Sequence, residues 1–203
     1  MSQTFYGLQQ TPQPGVLFDI SEVQDPVTFV NQDGTWNIPF GVMVARQGSQ
    51  QNQCKLPNSS TDEMLGLSML AHVYDPGPNG TLDQVRTIGT APGPGVKQAQ
   101  DLSILRRGRI WVFVETDVAI VAGAKAFVRV TQNGAGKLQL GALRADADGG
   151  NAVAIKGRFY TPSFHVPSTT PFPGQSAGAT SPNFPAVGIP VDAAVLEFDA
   201  ADF

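Results

Sequence analysis

The stretch that decides the fold runs from Leu105 to Leu143 and reads LRRGRIWVFVETDVAIVAGAKAFVRVTQNGAGKLQLGAL. It contains two segments dense in β-branched and aromatic residues, IWVFVE and AFVRVT, set between glycine turns. Such residues favour extended strands. No known catalytic motif interrupts either segment. The stretch therefore predicts the core of a β-barrel or β-sandwich, in a protein that binds rather than catalyses.

Side chains of a strand alternate between two faces, so each segment divides into two sets of residues. In the first segment both sets are mostly apolar, which predicts that both faces are covered: Ile110, Val112 and Val114 on one face, and Trp111, Phe113 and Glu115 on the other. In the second segment one face is predicted to lie inward and the other outward: Ala126, Val128 and Val130 inward, and Phe127, Arg129 and Thr131 outward. Asn133 and Gly134 predict a tight hairpin, from which KLQLGAL returns as the partner strand.

Composition supports an all-β fold. The 203 residues include 22 glycines and 16 prolines, a proportion that disfavours helices. Further strands are predicted in NIPFGVMV, CKLP, LGLSMLAHV, AVAIKGRFYT and AVLEFD. We therefore expect a small β-barrel or β-sandwich with four parts: an extended N-terminal arm without regular structure (1–30), the core (31–160), an extended loop insertion rich in Pro, Gly and Ser (161–187), and a C-terminal strand that returns to the core (188–203).

Charge and targeting signals limit the function classes. The formal net charge is −4, and the only basic cluster is Arg106, Arg107 and Arg109, which argues against nucleic-acid binding. No apolar run approaches the roughly 20 residues that span a bilayer, and the N-terminus lacks the features of a signal peptide. The single cysteine, Cys54, fits a reducing compartment and is predicted to be a core or interface thiol. We expect a soluble protein made in the cytosol, with no membrane partner.

The candidate catalytic and metal-binding residues do not have the spacing that the known motifs require. The sequence has only two histidines, His72 and His165, and neither lies near Cys54, so a zinc site is not expected. Gly136 and Lys137 lack the flanking residues of a phosphate-binding loop and are assigned to the hairpin. We expect no cofactor, no metal and no enzymatic activity.

Two groups of acidic residues could suggest a calcium loop or an acid–base pair. Asp146, Asp148 and Asn151 resemble the start of a calcium loop, but the twelfth position is Gly157 instead of Glu, so a solvated turn is expected. Glu115 and Asp117 are interpreted as a solvated strand edge and not as an acid–base pair.

Aromatic residues outside the clear strands are the best functional signal. They lie in segments rich in Pro and Gly. Burying one such side chain against a partner would contribute about 2–3 kcal/mol to the free energy of binding. The predicted capsid or subunit contacts are Phe5, Tyr6, Phe18, Phe29, Phe164, Phe172 and Phe184. The alternative is that they fold back over the ends of the barrel.

The order of segments resembles that of the cement (decoration) proteins of tailed-phage capsids. The resemblance rests on IPFGVMVARQG, the KLP step, DEMLGLSML and LSILRRGRIWVFVETDVAIVAGAKAFVRV, and it covers about residues 37–160 plus the last strand. It implies a trimer on the outside of an expanded capsid, made in the host bacterial cytoplasm, that bridges neighbouring major capsid proteins. The alternatives are another virion component, such as a head-fibre base or tail protein, or a carbohydrate-binding β-module that stacks sugars on an exposed Trp111 and Tyr160.

Overall fold

A computed structural model describes residues 14–18, 25–49, 51–70, 96, 98–115, 118–133, 139–166 and 191–199. These residues form strands and one 3-10 turn, at Asp148–Gly150, and include no α-helix, so the all-β prediction is confirmed. The strands are β1 (Pro26–Asn31), β2 (Met43–Arg46), β3 (Gln53–Lys55), β4 (Met64–Ser68), β5 (Asp101–Leu105), β6 (Arg107–Val114), β7 (Lys125–Arg129), β8 (Leu143–Arg144), β9 (Ala152–Phe159), β10 (Phe164–Val166) and β11 (Val191–Asp199). None of the described residues belongs to a helix long and apolar enough to cross a membrane.

The first five strands form a closed barrel in the order β1-β3-β2-β4-β5. It closes because β1 pairs antiparallel with β5 over Pro26–Val30 on one side and parallel with β3 on the other. The arm was expected to contain no regular element as far as residue 30. That expectation is wrong for residues 26–30, where Val27 and Phe29 pack against a core while Pro26 and Thr28 are exposed.

The other six strands form a second sheet whose pairings close on themselves. Strand β6 pairs with β11, β11 with β9, β9 with β7, β7 with β8, and β8 with β6. Strand β10 pairs with the first residues of β11. A closed ring leaves no long unpaired strand edge among these five strands, which removes the usual template for aggregation.

Strand β6 has both faces buried, as its alternation predicts. Its even-numbered residues Ile110, Val112 and Val114 lie in one core, together with Val128 and Phe159 of the second sheet. Its odd-numbered residues Trp111 and Phe113 lie in a second core, together with first-barrel residues such as Val44, Cys54 and Ile104. Strand β6 of the second sheet therefore lies between the two cores and contributes one face to each.

The prediction for β7 is partly wrong. Ala126, Val128 and Val130 are buried as expected, but Arg129, which was expected to face outward, is completely buried. The reason is an ion-pair network that is described below. The returning strand is also shorter than expected, because only Leu143–Arg144 form β8; residues 134–138 of the predicted hairpin lie outside the described part of the chain.

Gly66 in β4 marks the closest approach of two strands in the first barrel. Its φ of +155° is rarely adopted by L side chains. A Cβ atom at this position would lie 2.4 Å from the carbonyl oxygen of Leu105 and 2.6 Å from Cγ2 of Ile104. Only glycine allows β4 and β5 to pair at this distance.

Candidate functional site

Four aromatic side chains from separate segments form an aromatic patch on the second sheet: Phe18, Trp111, Tyr160 and Phe164. The ring centroid of Trp111 lies 5.8 Å from that of Phe18 and 5.7 Å from that of Phe164, both in edge-to-face geometry. Phe18 lies 5.7 Å from Tyr160 in a tilted arrangement. These separations and angles are those of stabilising aromatic pairs.

Backbone hydrogen bonds hold the contributing segments in place. The amide of Phe18 donates to the carbonyl oxygen of Arg109 at 3.0 Å, which adds residues 14–18 to the edge of β6. The amide of Tyr160 donates to the carbonyl oxygen of Val195 at 2.7 Å, immediately after β9 ends. Phe164 begins β10 and pairs with Ala193. The patch is therefore ordered by main-chain contacts before any partner binds.

The patch has a buried base and three exposed rings. Trp111 is 4% exposed, whereas Phe18, Tyr160 and Phe164 are 36%, 46% and 41% exposed. The hypothesis of an exposed Trp111 as a sugar-stacking platform is therefore wrong, because Phe18 and Phe164 pack against its ring. The buried Nε1 of Trp111 has no hydrogen-bond partner among the described residues.

Cations border the patch along β6. The guanidinium carbon of Arg109 lies 4.1 Å from the centroid of the Tyr160 ring, a cation–π contact, and its Nη2 donates to Oε1 of Glu197 at 3.2 Å. Arg107 Nε donates to Oδ2 of Asp199 at 2.8 Å. Both arginines face their carboxylates directly across the β6–β11 pair. Two members of the basic cluster thus form ion pairs within the chain.

The structure separates the predicted contact residues into three groups. It brings Phe18 and Phe164 together in the patch. It places Phe29 in the first barrel, where the ring packs against the second core. The remaining four, Phe5, Tyr6, Phe172 and Phe184, lie outside the described residues. Tyr160 was not among the predicted contacts, although the alternation of β9 places it on the same outward face as Lys156 and Arg158.

A buried ion-pair network joins β6, β7 and β8. The carboxylate of Glu115, which is 5% exposed, accepts hydrogen bonds from Nε and Nη2 of Arg129 and from Nη1 of Arg144. Arg129 also donates to Oδ2 of Asp148 at 2.7 Å and to the carbonyl oxygen of Thr131 at 2.9 Å. Burial alone would lower the pKa of Arg129, but its hydrogen bonds to Glu115 and Asp148 produce a net rise in that pKa.

This network corrects two expectations. Glu115 is a buried partner of two arginines and not a solvated edge; Asp117 lies outside the described residues. Asp146 and Asp148 hold Arg144 and Arg129, so their turn is not simply solvated, and the hydrogen bond from Arg129 lowers the pKa of Asp148. In the part of the chain that the structure describes, no group of three or more His, Cys, Asp or Glu side chains is placed to hold a metal ion.

Cys54 is a core thiol. It is completely buried, and its Sγ donates to the carbonyl oxygen of Val30 at 3.6 Å. Burial, with the nearby charge of Asp33, raises the pKa of its thiol to about 12. The nucleophilic form of cysteine is the thiolate, so Cys54 is in an unreactive setting at neutral pH.

Comparison with known proteins assigns the family. Residues 1–181 match the family described as structural cement protein (E217 gp24/Pam3 gp6). The chain belongs to the phage structural cement protein family. This family is defined by a structural role and not by an enzymatic one.

Among the solved structures that resemble this cement-family chain is a chain from "The capsid of Myoviridae Phage XM1". The two chains have a TM-score of 0.54 and 14% sequence identity, and the match covers 98% of each. At this identity the likeness supports the fold alone. No curated protein matches the chain.

Proposed function

We propose that this chain stabilises a phage capsid by binding the outer surface of the expanded shell as a trimer that bridges neighbouring major capsid proteins. The aromatic patch is the observation that carries the proposal. A group of three partly exposed rings on a common buried base is an unusual surface for a protein that works alone, because large aromatic side chains are enriched at the centres of interfaces. Membership of the cement family supports the same partner.

The patch is suited to strong binding without much charge. Its rings already pack against one another, so little side-chain entropy is lost on binding. A protein that binds the assembled lattice and not free subunits stabilises the lattice by mass action. Trimerisation would multiply a modest contact through avidity. These arguments favour a site that spans adjacent subunits of the assembled lattice.

The direct test uses purified capsids that lack this protein. Adding the purified chain should produce saturable binding and raise the melting temperature of the capsids, and sedimentation of the free chain should show a trimer. Absence of both binding and a melting shift would contradict the cement role and favour another virion component, such as a head-fibre base or tail protein. A monomer at micromolar concentration that still binds would contradict only the trimer.

A double substitution tests the aromatic patch. Phe18→Ala with Phe164→Ala should weaken capsid binding about 30-fold. Burying the exposed part of each ring contributes about 1 kcal/mol to the free energy of binding, and the loss of both contributions gives this factor. The matched control is Phe29→Ala, which removes the same side chain from the first barrel and should lower folding stability while leaving affinity within about twofold of wild type. Binding would be measured by co-sedimentation at a temperature where all variants are folded. Equal loss of affinity in both variants would contradict the assignment of the patch.

A carbohydrate-binding role is the second candidate. The exposed ring of Tyr160 beside Arg109 is the feature that favours it, because sugars stack on aromatic faces and bond to charged groups. Trp111, the larger ring, is covered by its neighbours. A glycan array would detect such binding, and hits abolished by Tyr160→Ala would support it.

A further inference from the structure

The outward face of β9 carries a set of cations that continues into the aromatic patch. Lys156, Arg158 and Tyr160 alternate with buried residues, so their side chains leave the same face. Lys125 of β7 faces Arg158 directly across the strand pair and is also exposed. We refer to Lys125, Lys156 and Arg158 as the basic strip.

The strip residues have no carboxylate partner among the described residues, a property that they share with Arg106 and with no other cation of that part of the chain. Six other cations form ion pairs with Asp or Glu: Arg46, Lys55, Arg107, Arg109, Arg129 and Arg144. The strip residues form none among the described residues. Glu197 of β11 lies between Arg158 of β9 and Arg109 of β6 in the register of the sheet. The carboxylate of Glu197 forms its ion pair with Arg109 and not with Arg158.

The arrangement is unfavourable for the isolated fold. Like charges placed directly opposite each other on paired strands repel, and Lys125 and Arg158 are such a pair. The strip also holds three of the 13 basic residues of a chain with 17 acidic ones, and none of the three has a carboxylate partner in the described part of the chain. An anionic surface lying over the strip would relieve the repulsion between Lys125 and Arg158.

We infer that the basic strip docks onto an acidic face of the major capsid protein, beside the apolar contact made by the aromatic patch. The inference rests on the proposed function and deepens it by giving the chemistry of the partner. The strip is continuous with the patch through Tyr160, so one partner surface covers both. Charge complementarity of this kind steers association and fixes the register of docking.

A protein partner fits the strip better than a nucleic acid. Glu197 and Asp199 stand on β11, directly beside β9 and β6, so the surface around the strip carries both signs of charge. A continuous line of phosphates would meet these carboxylates, whereas a protein surface can place cations against them. The net charge of −4 also opposes binding of a polyanion.

The test is the salt dependence of capsid binding. Wild-type affinity for capsids lacking the protein should fall as salt rises from about 50 mM to about 500 mM, because added ions screen exposed charges. The triple variant Lys125→Gln, Lys156→Gln, Arg158→Gln should bind about tenfold more weakly at low salt and show little dependence on salt. The patch variant should keep the wild-type dependence on salt while losing affinity.

Single substitutions provide a matched control. Arg158→Gln should weaken low-salt binding two- to threefold, whereas Arg106→Gln, which removes an exposed charge close to Glu63, should leave it unchanged. If the triple variant binds capsids with wild-type affinity and salt dependence, the inference is wrong while the cement role stands. If wild type does not bind capsids at all, both are wrong. Binding of a labelled oligonucleotide that the triple variant abolishes would overturn the choice of partner.

Discussion

Replacing Glu115 with alanine is expected to lower the free energy of unfolding by about 3 kcal/mol, because removal of one partner leaves buried charges uncompensated. The carboxylate is the common acceptor for Arg129, which is completely buried, and Arg144, which is 6% exposed. Asp148 would remain to pair with Arg129, so the loss is not the largest that such a network can show. Urea unfolding followed by tryptophan fluorescence and circular dichroism measures it, and the melting temperature should fall by roughly 10 °C.

The control for this substitution is Glu63→Ala. Glu63 also binds an arginine through both oxygens, with Arg46 Nε at 2.6 Å and Nη2 at 2.8 Å, but its side chain is 57% exposed. The hydrogen bond from Arg46 lowers the pKa of Glu63, yet exposed pairs contribute only about 0–1 kcal/mol because water screens them. Similar losses in the two variants would show that burial does not determine the contribution of Glu115.

The second large effect is expected from Gly66→Ala, which should destabilise the protein by about 3 kcal/mol. The added Cβ would lie 2.4 Å from the carbonyl oxygen of Leu105. That backbone cannot move away without breaking the pairing of β4 with β5 at Leu67 and Leu105. Overpacking of this kind costs about 1–3 kcal/mol. The unfavourable φ adds about 1–2 kcal/mol more for a residue with a side chain.

Gly48→Ala separates the two causes. Gly48 has a φ of +61°, but a Cβ there would meet nothing within 4 Å. Only the conformational cost of about 1 kcal/mol should remain. Unfolding in urea compares both variants with wild type. A Gly66→Ala variant no less stable than Gly48→Ala would show that the close approach of β4 and β5 is adjustable.

Hydrophobic alternation predicted the parts of the fold whose burial depends on apolar side chains. Both faces of β6 are buried as the pattern indicates, and the strands β9 and β11 form in the segments AVAIKGRFYT and AVLEFD that were predicted as strands. The pattern failed at Arg129, because a charged residue is assigned outward unless its partners are known. Those partners, Glu115 and Asp148, lie 14 and 19 residues away and meet it only through tertiary structure.

The candidate site was predictable in its residue types but not in its arrangement. Isolated aromatic residues in segments rich in Pro and Gly pointed to Phe18 and Phe164. Their meeting on Trp111 depends on long-range pairings, one of residues 14–18 with β6 and one of β10 with β11. Local sequence does not specify such pairings. Phe29 was predicted as a contact residue for the same reason as Phe18 and Phe164. Its strand pairs with β5, which places the ring in the first barrel, and the local sequence does not specify this pairing either.

The position of β6 between the two cores has a consequence for how the molecule unfolds. Detaching β6 from the second sheet would expose Ile110 and Val112 on one side and Trp111 and Phe113 on the other, so both cores would be hydrated in the same event. We therefore expect the barrel and the second sheet to unfold together in one cooperative transition. A protein built in this way keeps its whole structure until it unfolds and does not lose one half at a time.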